Sequence, residues 1–248
     1  MNTVAERTLV LIHGWGFSGT IWQPLQDVLP DGQVVSVELP GHGRCGGGGR
    51  LADPGETARA LEAQLPSGIG EPVWVGWSLG GLAALALAAR WRGRQRLVLV
   101  CATPRFTVTA GWPHALAAPA LAAFAGELER DRQLLERRFA ALCADAARAP
   151  APLRRQLLAA MTDHPATLEG LRGGLQALAG YDLRAVWSDA RLPVSAWLAR
   201  DDPLVPAGVA QDLKALRPDA RVRQEPGGHA AWLENPSSLA GFLLEVAA

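Results

Sequence analysis

The stretch Val73-Trp74-Val75-Gly76-Trp77-Ser78-Leu79-Gly80-Gly81-Leu82 constrains this chain more than any other. Its first half is a short apolar run with valine at alternate places, which reads as a buried strand. Its second half runs into Leu82–Ala89, a stretch of strong helix formers. Between them stands Gly76-Trp77-Ser78-Leu79-Gly80, a G-x-S-x-G with serine at the apex. A sharp strand-to-helix turn brings two backbones close together, so the positions two before and two after the serine must be small. Such a turn lifts the serine oxygen out of the sheet and sets it at a helix N-terminus, where unpaired N–H groups favour a developing anion. This is the geometry of a nucleophile elbow. The five-residue pattern alone also fits a glycine-rich turn with a capping serine; the flanking strand and helix favour the nucleophile.

Composition sets the outer bounds. The chain has 248 residues, enough for one domain or one domain with an insertion. Apolar residues make up 49%, ample for a core, and the formal net charge is zero, which gives no global pull toward nucleic acid. The one lysine, Lys214, stands among many arginines. Cys45, Cys101 and Cys143 are scattered and odd in number, which suits a reducing cytosol and argues against a disulfide framework or a zinc site. No signal peptide opens the chain and no apolar run approaches membrane-spanning length. The expectation is a cytoplasmic monomer with no metal, no cofactor, no nucleic-acid partner and no membrane association.

Strand and helix signals alternate along the first hundred residues. Strands are read at Thr8–Ile12, Val34–Leu39, the elbow strand and Arg96–Cys101, and helices at Trp22–Leu29 and Pro54–Leu65. That alternation predicts βαβ units and a mostly parallel sheet flanked by helices. Cys45–Gly49 reads as a loop. From about Phe106 to Arg184 the strand signal fails, and helices are read at Ala115–Arg130, Gln133–Cys143, Leu153–Thr162 and Thr167–Ala179, punctuated by prolines. Strands resume at Pro193–Leu198 and Ala220–Gln224, with helices at Pro206–Leu216 and Pro236–Val246. The organisation expected is a core of residues 1–105 and 185–248, with a helical cap at 106–184 inserted between two sheet strands.

A serine nucleophile needs a base, an acid and an oxyanion hole. Of five histidines, His229 in Gly227-Gly228-His229-Ala230 follows the last strand, at the sheet edge that also carries Ser78. The chain order serine, acid, histidine favours it. His13, in His13-Gly14-Trp15-Gly16, reads as a brace for its loop, and His42, His114 and His164 as loop or insertion residues. The acid should follow the strand ending near Leu198, where Asp201 and Asp202 both stand; Asp202 is preferred because Asp-x-Leu-Val-Pro leads into the next helix. The oxyanion donors expected are the backbone N–H groups of Leu79 and Trp15. Together these residues point to nucleophilic acyl transfer on an ester.

His13-Gly14-Trp15-Gly16, Leu39-Pro40-Gly41-His42-Gly43, the elbow, Asp202 and His229 resemble the α/β-hydrolase superfamily over almost the whole chain. Several stretches narrow the likeness: Leu11–Gly16, Gly76–Leu82, Trp112-Pro113, and Gly173-Gly174-Leu175 through Asp182-Leu183-Arg184. These resemble the pimeloyl-[acyl-carrier protein] methyl ester esterases of biotin synthesis. The resemblance implies the α/β-hydrolase fold, the Ser78–Asp202–His229 triad and Trp15 and Leu79 as oxyanion donors. It also implies a pocket lined by Trp77, substrate binding by Phe139, Arg138 and Arg155, and an ester carried on an acyl-carrier protein. The elbow alone leaves other readings open: a short-chain carboxylesterase, a carbon–carbon bond hydrolase or lactonase, or a hydrolase-fold binding protein. The short segment before the first strong strand leads us to expect one or two missing edge strands.

Overall fold

The computed structural model describes residues 7–30, 32, 34–44 and 51–248. The Cys45–Gly49 loop read from the sequence lies outside them. Six strands form one parallel sheet: β1 (Thr8–Ile12), β2 (Val34–Val37), β3 (Pro72–Trp77), β4 (Arg96–Val100), β5 (Val194–Ala199) and β6 (Arg221–Glu225). Their order is β2-β1-β3-β4-β5-β6, with every neighbouring pair parallel. β1, β3 and β5 are buried along their whole length, as expected where both faces of a parallel sheet are covered.

The chain leaves β1 toward β2 on one side and returns to β3 on the other, so the winding direction reverses between β1 and β3. Open α/β sheets bind ligands outside the carboxyl ends of their strands at such a reversal. The residues that follow there are His13–Gly16 after β1 and Ser78 after β3.

A 3₁₀ turn (Gly19–Trp22) leads into α1 (Gln23–Gln26), so the helix expected over Trp22–Leu29 is split and short. α2 (Pro54–Glu62) starts on Asp53, whose side chain accepts from Glu56 N, with proline in the first turn. α3 (Leu79–Arg90) is buried through Ala88 and packs on the central strands. Between β4 and β5 the chain forms α4 (Ala118–Arg130), α5 (Arg132–Cys143), α6 (Pro150–Asp163), α7 (Leu168–Gly180) and α8 (Arg184–Trp187). The first four match the helices expected for the insertion to within about three residues at each end.

Three features differ from the sequence reading. The segment before α4 carries two isolated bridges, Thr107 with Leu116 and Thr109 with Trp112, where a helix start was expected at Ala115. α9 begins at Val209 rather than Pro206, because Pro206–Gly208 form a turn closed by Val209 N donating to Pro206 O. A short α10 (Ala231–Glu234) precedes the closing α11 (Pro236–Ala247), which Asn235 caps through Ser238 N.

His42 offers a measurable consequence of burial. Its ring has no exposed surface and lies 5.7 Å from that of His13. Burial, reinforced by His13 and opposed by the Pro40 carbonyl, lowers its pKa from 6.5 to about 3. Above pH 6.5 neither folded nor unfolded chain holds this proton. Below it the unfolded chain takes one up and the folded chain does not, so stability falls. The loss is about 1.4 kcal/mol per pH unit, continuing toward pH 3. The unfolding free energy from urea titrations should therefore fall between pH 7 and pH 5 more steeply in the wild type than in His42→Phe, by up to about 1.4 kcal/mol per pH unit. Equal slopes would show that His42 titrates normally.

Candidate active site

The elbow is built by backbone contact. A Cβ on Gly76 would lie 2.2 Å from Gly80 O, one on Gly80 2.2 Å from Ile12 O, and one on Gly81 2.4 Å from Ala102 Cβ. Any side chain at these places would push α3 off β1 and β3. The turn itself falls on Ser78, at φ 56° and ψ −124°, a strained conformation for a residue with a side chain. Ser78 N donates to Val100 O at 3.1 Å and Gly81 N donates to Ser78 O at 2.8 Å, which over-determine it.

Ser78 Oγ lies 2.8 Å from His229 Nε2, and His229 Nδ1 lies 2.8 Å from Asp202 Oδ2. All three residues are buried. The other oxygen of Asp202 accepts from Leu204 N at 2.8 Å and Val205 N at 3.0 Å. With its carboxylate held on both sides, Asp202 fixes His229 with Nδ1 as donor, leaving Nε2 free to accept from the serine. Asp201 does different work. It is exposed, and its backbone and carboxylate both bond Gly227, tying the loop that leads to His229.

The two N–H groups expected to face an oxyanion are available. Trp15 and Leu79 are buried, and neither backbone N–H donates to a protein acceptor among the described residues. Buried backbone donors without a partner are rare. His13 holds the first of these loops in place: its Nδ1 bonds Gly14 O at 2.9 Å and its Nε2 accepts from Leu39 N at 3.1 Å. Glu38 lies 3.0 Å from the same nitrogen. Burial raises the Glu38 pKa, but contact with His13 and the Gly19 N–H more than offsets this and holds it below the usual range. The Trp15 indole donates to Leu171 O of α7 at 2.9 Å, and Gly174 leaves the room its ring needs beside Leu79.

Beside Ser78 lies a cavity of about 30 Å³ lined by residues that include Trp15, Phe106, Leu116, Phe124, Phe139 and Leu178. Among the described residues no charged side chain lines it. Phe139 is thus at the site, edge-on to Trp15 at 5.0 Å. Trp77 is not among the lining residues. It sits behind the histidine, rings 5.7 Å apart, and its Nε1 donates to His229 O at 2.9 Å. Arg138 and Arg155 also lie away from the cavity lining: Arg138 pairs with Glu127 of α4, and Arg155 is exposed on α6.

The neighbours of Asp202 were not legible from the residue order. Cys101, read as core, is buried at φ 42° and lies close enough to Asp202 to feel its charge. Cys143, at the end of α5, lies close enough to feel the same charge. Burial first, and Asp202 second, push both thiols well above their ordinary range, so they stay protonated. Their distance in sequence hid this. The insertion also grips the histidine loop directly, through Ala230 N donating to Cys143 O at 3.1 Å.

A sequence profile of the alpha/beta hydrolase family matches residues 9–242. The chain belongs to that family. This hydrolase is also 37% identical to a pimeloyl-[acyl-carrier protein] methyl ester esterase of Aromatoleum aromaticum, over 96% of this chain and 97% of that protein. It is 34% identical to the protein of that name from Serratia marcescens, over 93% and 90%. Among solved structures it resembles an esterase from Exiguobacterium antarcticum (TM-score 0.84, 21% identity, 98% and 93% covered). It also resembles a bromoperoxidase from Bacillus anthracis (TM-score 0.85, 18% identity, 97% and 91% covered). At those identities the structural likenesses establish the fold of this hydrolase and nothing finer.

The two adjacent aspartates separate cleanly by experiment. Asp202→Asn should lower ester turnover by about 10³–10⁴, since an amide there favours the wrong histidine tautomer. Asp201→Asn should leave turnover within a few-fold of wild type. Steady-state kinetics on a short p-nitrophenyl ester checks both, and the reverse ranking would move the acid to Asp201.

Proposed function

We propose that this chain is a serine carboxylesterase that cleaves the methyl ester of pimeloyl-[acyl-carrier protein] in biotin synthesis. The observation that carries the chemistry is the unbroken buried chain from Ser78 Oγ through His229 to Asp202. The relatives named above support the substrate, matching this chain nearly end to end.

On this reading His229 Nε2 takes the Ser78 proton as the oxygen attacks the ester carbonyl. The N–H groups of Trp15 and Leu79 receive the developing oxyanion. Asp202 stabilises the imidazolium, which then protonates departing methanol. Water repeats the sequence in reverse and frees the acid. Residues 106–184 act as the cap over this centre. Phe139 packs against the acyl chain, and Trp77 serves by holding His229. An apolar cavity suits a methylene chain, and it gives the polar carrier end of the substrate no place except outside.

The carrier is an acidic protein on this reading, and exposed arginines of the insertion receive it. Arg137, Arg148, Arg154 and Arg155 are exposed, and no ion pair engages their side chains among the described residues. Arg138 is already matched by Glu127, so Arg155 is the cleaner probe. We further place the enzyme in the cytoplasm as a monomer. Cys101 and Cys143 are unpaired thiols, and no helix among the described residues is long and apolar enough to cross a membrane.

Ser78→Ala should reduce hydrolysis of a p-nitrophenyl ester to near background while leaving the thermal midpoint close to wild type. The wild-type gene, and not the variant, should restore growth without biotin to a strain lacking this esterase. Growth failure with intact p-nitrophenyl ester hydrolysis would reassign the substrate within the esterases; intact hydrolysis in Ser78→Ala would remove the nucleophile.

Arg155→Glu should raise the Michaelis constant for the carrier-bound ester and leave a small free ester unchanged. The difference should shrink between 0.1 M and 1 M salt, as the Debye length falls from about 10 Å to about 3 Å. Equal loss on both substrates would indicate damage to the insertion instead.

A further inference from the structure

The edge of the sheet opposite Ser78 holds a second cleft, of about 330 Å³. It opens where β4 and β5 begin, beside Arg96 and Pro193, while Ser78 lies beyond the far end of β3. Trp91, Arg92, Arg94, Arg96 and Arg191 line it, and Glu71 and Asp189 are its carboxylates.

The charges do not balance. Arg94 Nε lies 2.9 Å from Glu71, which also faces Arg7 at 3.5 Å, so one carboxylate is shared between two guanidinium groups. Asp189 is occupied by Arg191 in a two-point contact at 3.0 and 2.7 Å. Arg92 and Arg96 have neither an ion pair nor a side-chain hydrogen bond among the described residues. Arg96 is half-buried at the first position of β4. Burial lowers its pKa, Arg7 and Arg94 lower it further, and Glu71 only partly opposes them. A guanidinium stays charged under any such pressure, so this one is a partly desolvated cation without an acceptor, beside others of its sign.

The end of α3 does not account for these cations. The C-terminal turn of a helix attracts positive charge, but Arg90 already stands there, paired with Glu62. Trp91 N caps Leu87 O, and Gln95 Nε2 donates to Ala88 O at 3.0 Å. The helix end is satisfied without Arg92 or Arg96.

We propose that this cleft binds an anion of the diphosphate class. The planar fork of arginine meets phosphate oxygens in two-point fashion, and two unmatched forks in one cleft suit two linked phosphates better than a single carboxylate. Arg94 and Arg191, each held along one edge by its carboxylate, keep outer N–H groups for the same ligand. Ala88, Ala89 and Val186 add an apolar wall on which an organic group can rest. The site is separate from the catalytic centre and does not depend on the esterase reading.

Isothermal titration of the full chain with inorganic pyrophosphate and with ADP tests the proposal. Saturable binding is expected, weakened at least about tenfold in Arg92→Gln/Arg96→Gln, since each lost charge-assisted hydrogen bond is worth that much or more. Ser78→Ala should bind as the wild type does. Tighter binding of ADP would assign the ligand to a nucleotide, and tighter binding of pyrophosphate to the inorganic ion. Arg92→Gln alone, at an exposed loop position, serves if the double variant does not fold. No saturable binding by the wild type, or equal binding by a folded variant, overturns the site.

Discussion

Everything at the catalytic edge depends on how closely the start of α3 approaches β1 and β3. A Cβ on Gly76 or Gly80 would meet backbone atoms at 2.2–2.8 Å, which no side-chain rearrangement can relieve, and one on Gly81 would meet the Ala102 methyl at 2.4 Å. That approach leaves Ser78 to make the turn, at positive φ. It also brings Leu79 N, at the first turn of α3, beside the loop after β1 that carries Trp15. A strained residue costs about 1–3 kcal/mol, and here the surrounding sheet supplies the restraint. The nucleophile and the start of α3 are therefore set by one packing constraint, while Asp202 and the Trp77 indole hold His229 within reach of it.

The insertion is more than a cover. Its α7 accepts the Trp15 indole and its α5 carbonyl accepts the N–H next to His229, so it touches both the loop after β1 and the loop that carries His229. Gly41 and Gly170 meet backbone to backbone, and Thr167 N donates to Gly41 O at 2.7 Å, fixing the start of α7 to the core. Arg148 N and Ala149 N donate to Glu234 at 3.2 and 3.3 Å, fixing the start of α6. Further polar contacts tie the same segment to the core: His114 pairs with Asp212 at 2.9 Å and the Tyr181 hydroxyl lies 3.0 Å from that of Thr57.

Legibility from sequence followed the range of the forces involved. The parallel sheet was readable because β1, β3 and β5 are apolar runs buried on both faces, and the helices of the insertion because alanine, leucine and arginine favour them. Ser78 and the spacing of its glycines were readable because steric contact within ten residues dictates them. Asp202 and His229 rested on chain order, and the structure brings both to Ser78. Trp77 shows the limit. Its place beside the serine suggested a pocket wall, but side chains alternate along a strand, and its indole points back to the histidine carbonyl. Arg138 was legible as a cation and not as a paired one, since Glu127 lies eleven residues away on another helix. Cys101 and Cys143 could not be tied to Asp202 by any local pattern, because three separate elements bring them together. The isolated bridges before α4 were missed because Ala115 and Leu116 carry a helical composition into that segment.

The lining of the cavity bears on how the enzyme works. Apart from Ser78, the side chains that line it are aliphatic or aromatic. Its walls come from the core at Trp15 and Leu204 and from the insertion at Phe106, Leu116, Phe124, Phe139, Leu175 and Leu178. An acyl chain that lies against these walls buries apolar surface, at about 25 cal/mol per Å², and a longer apolar chain buries more. Selectivity for a chain of methylenes can then arise without a single polar contact to it.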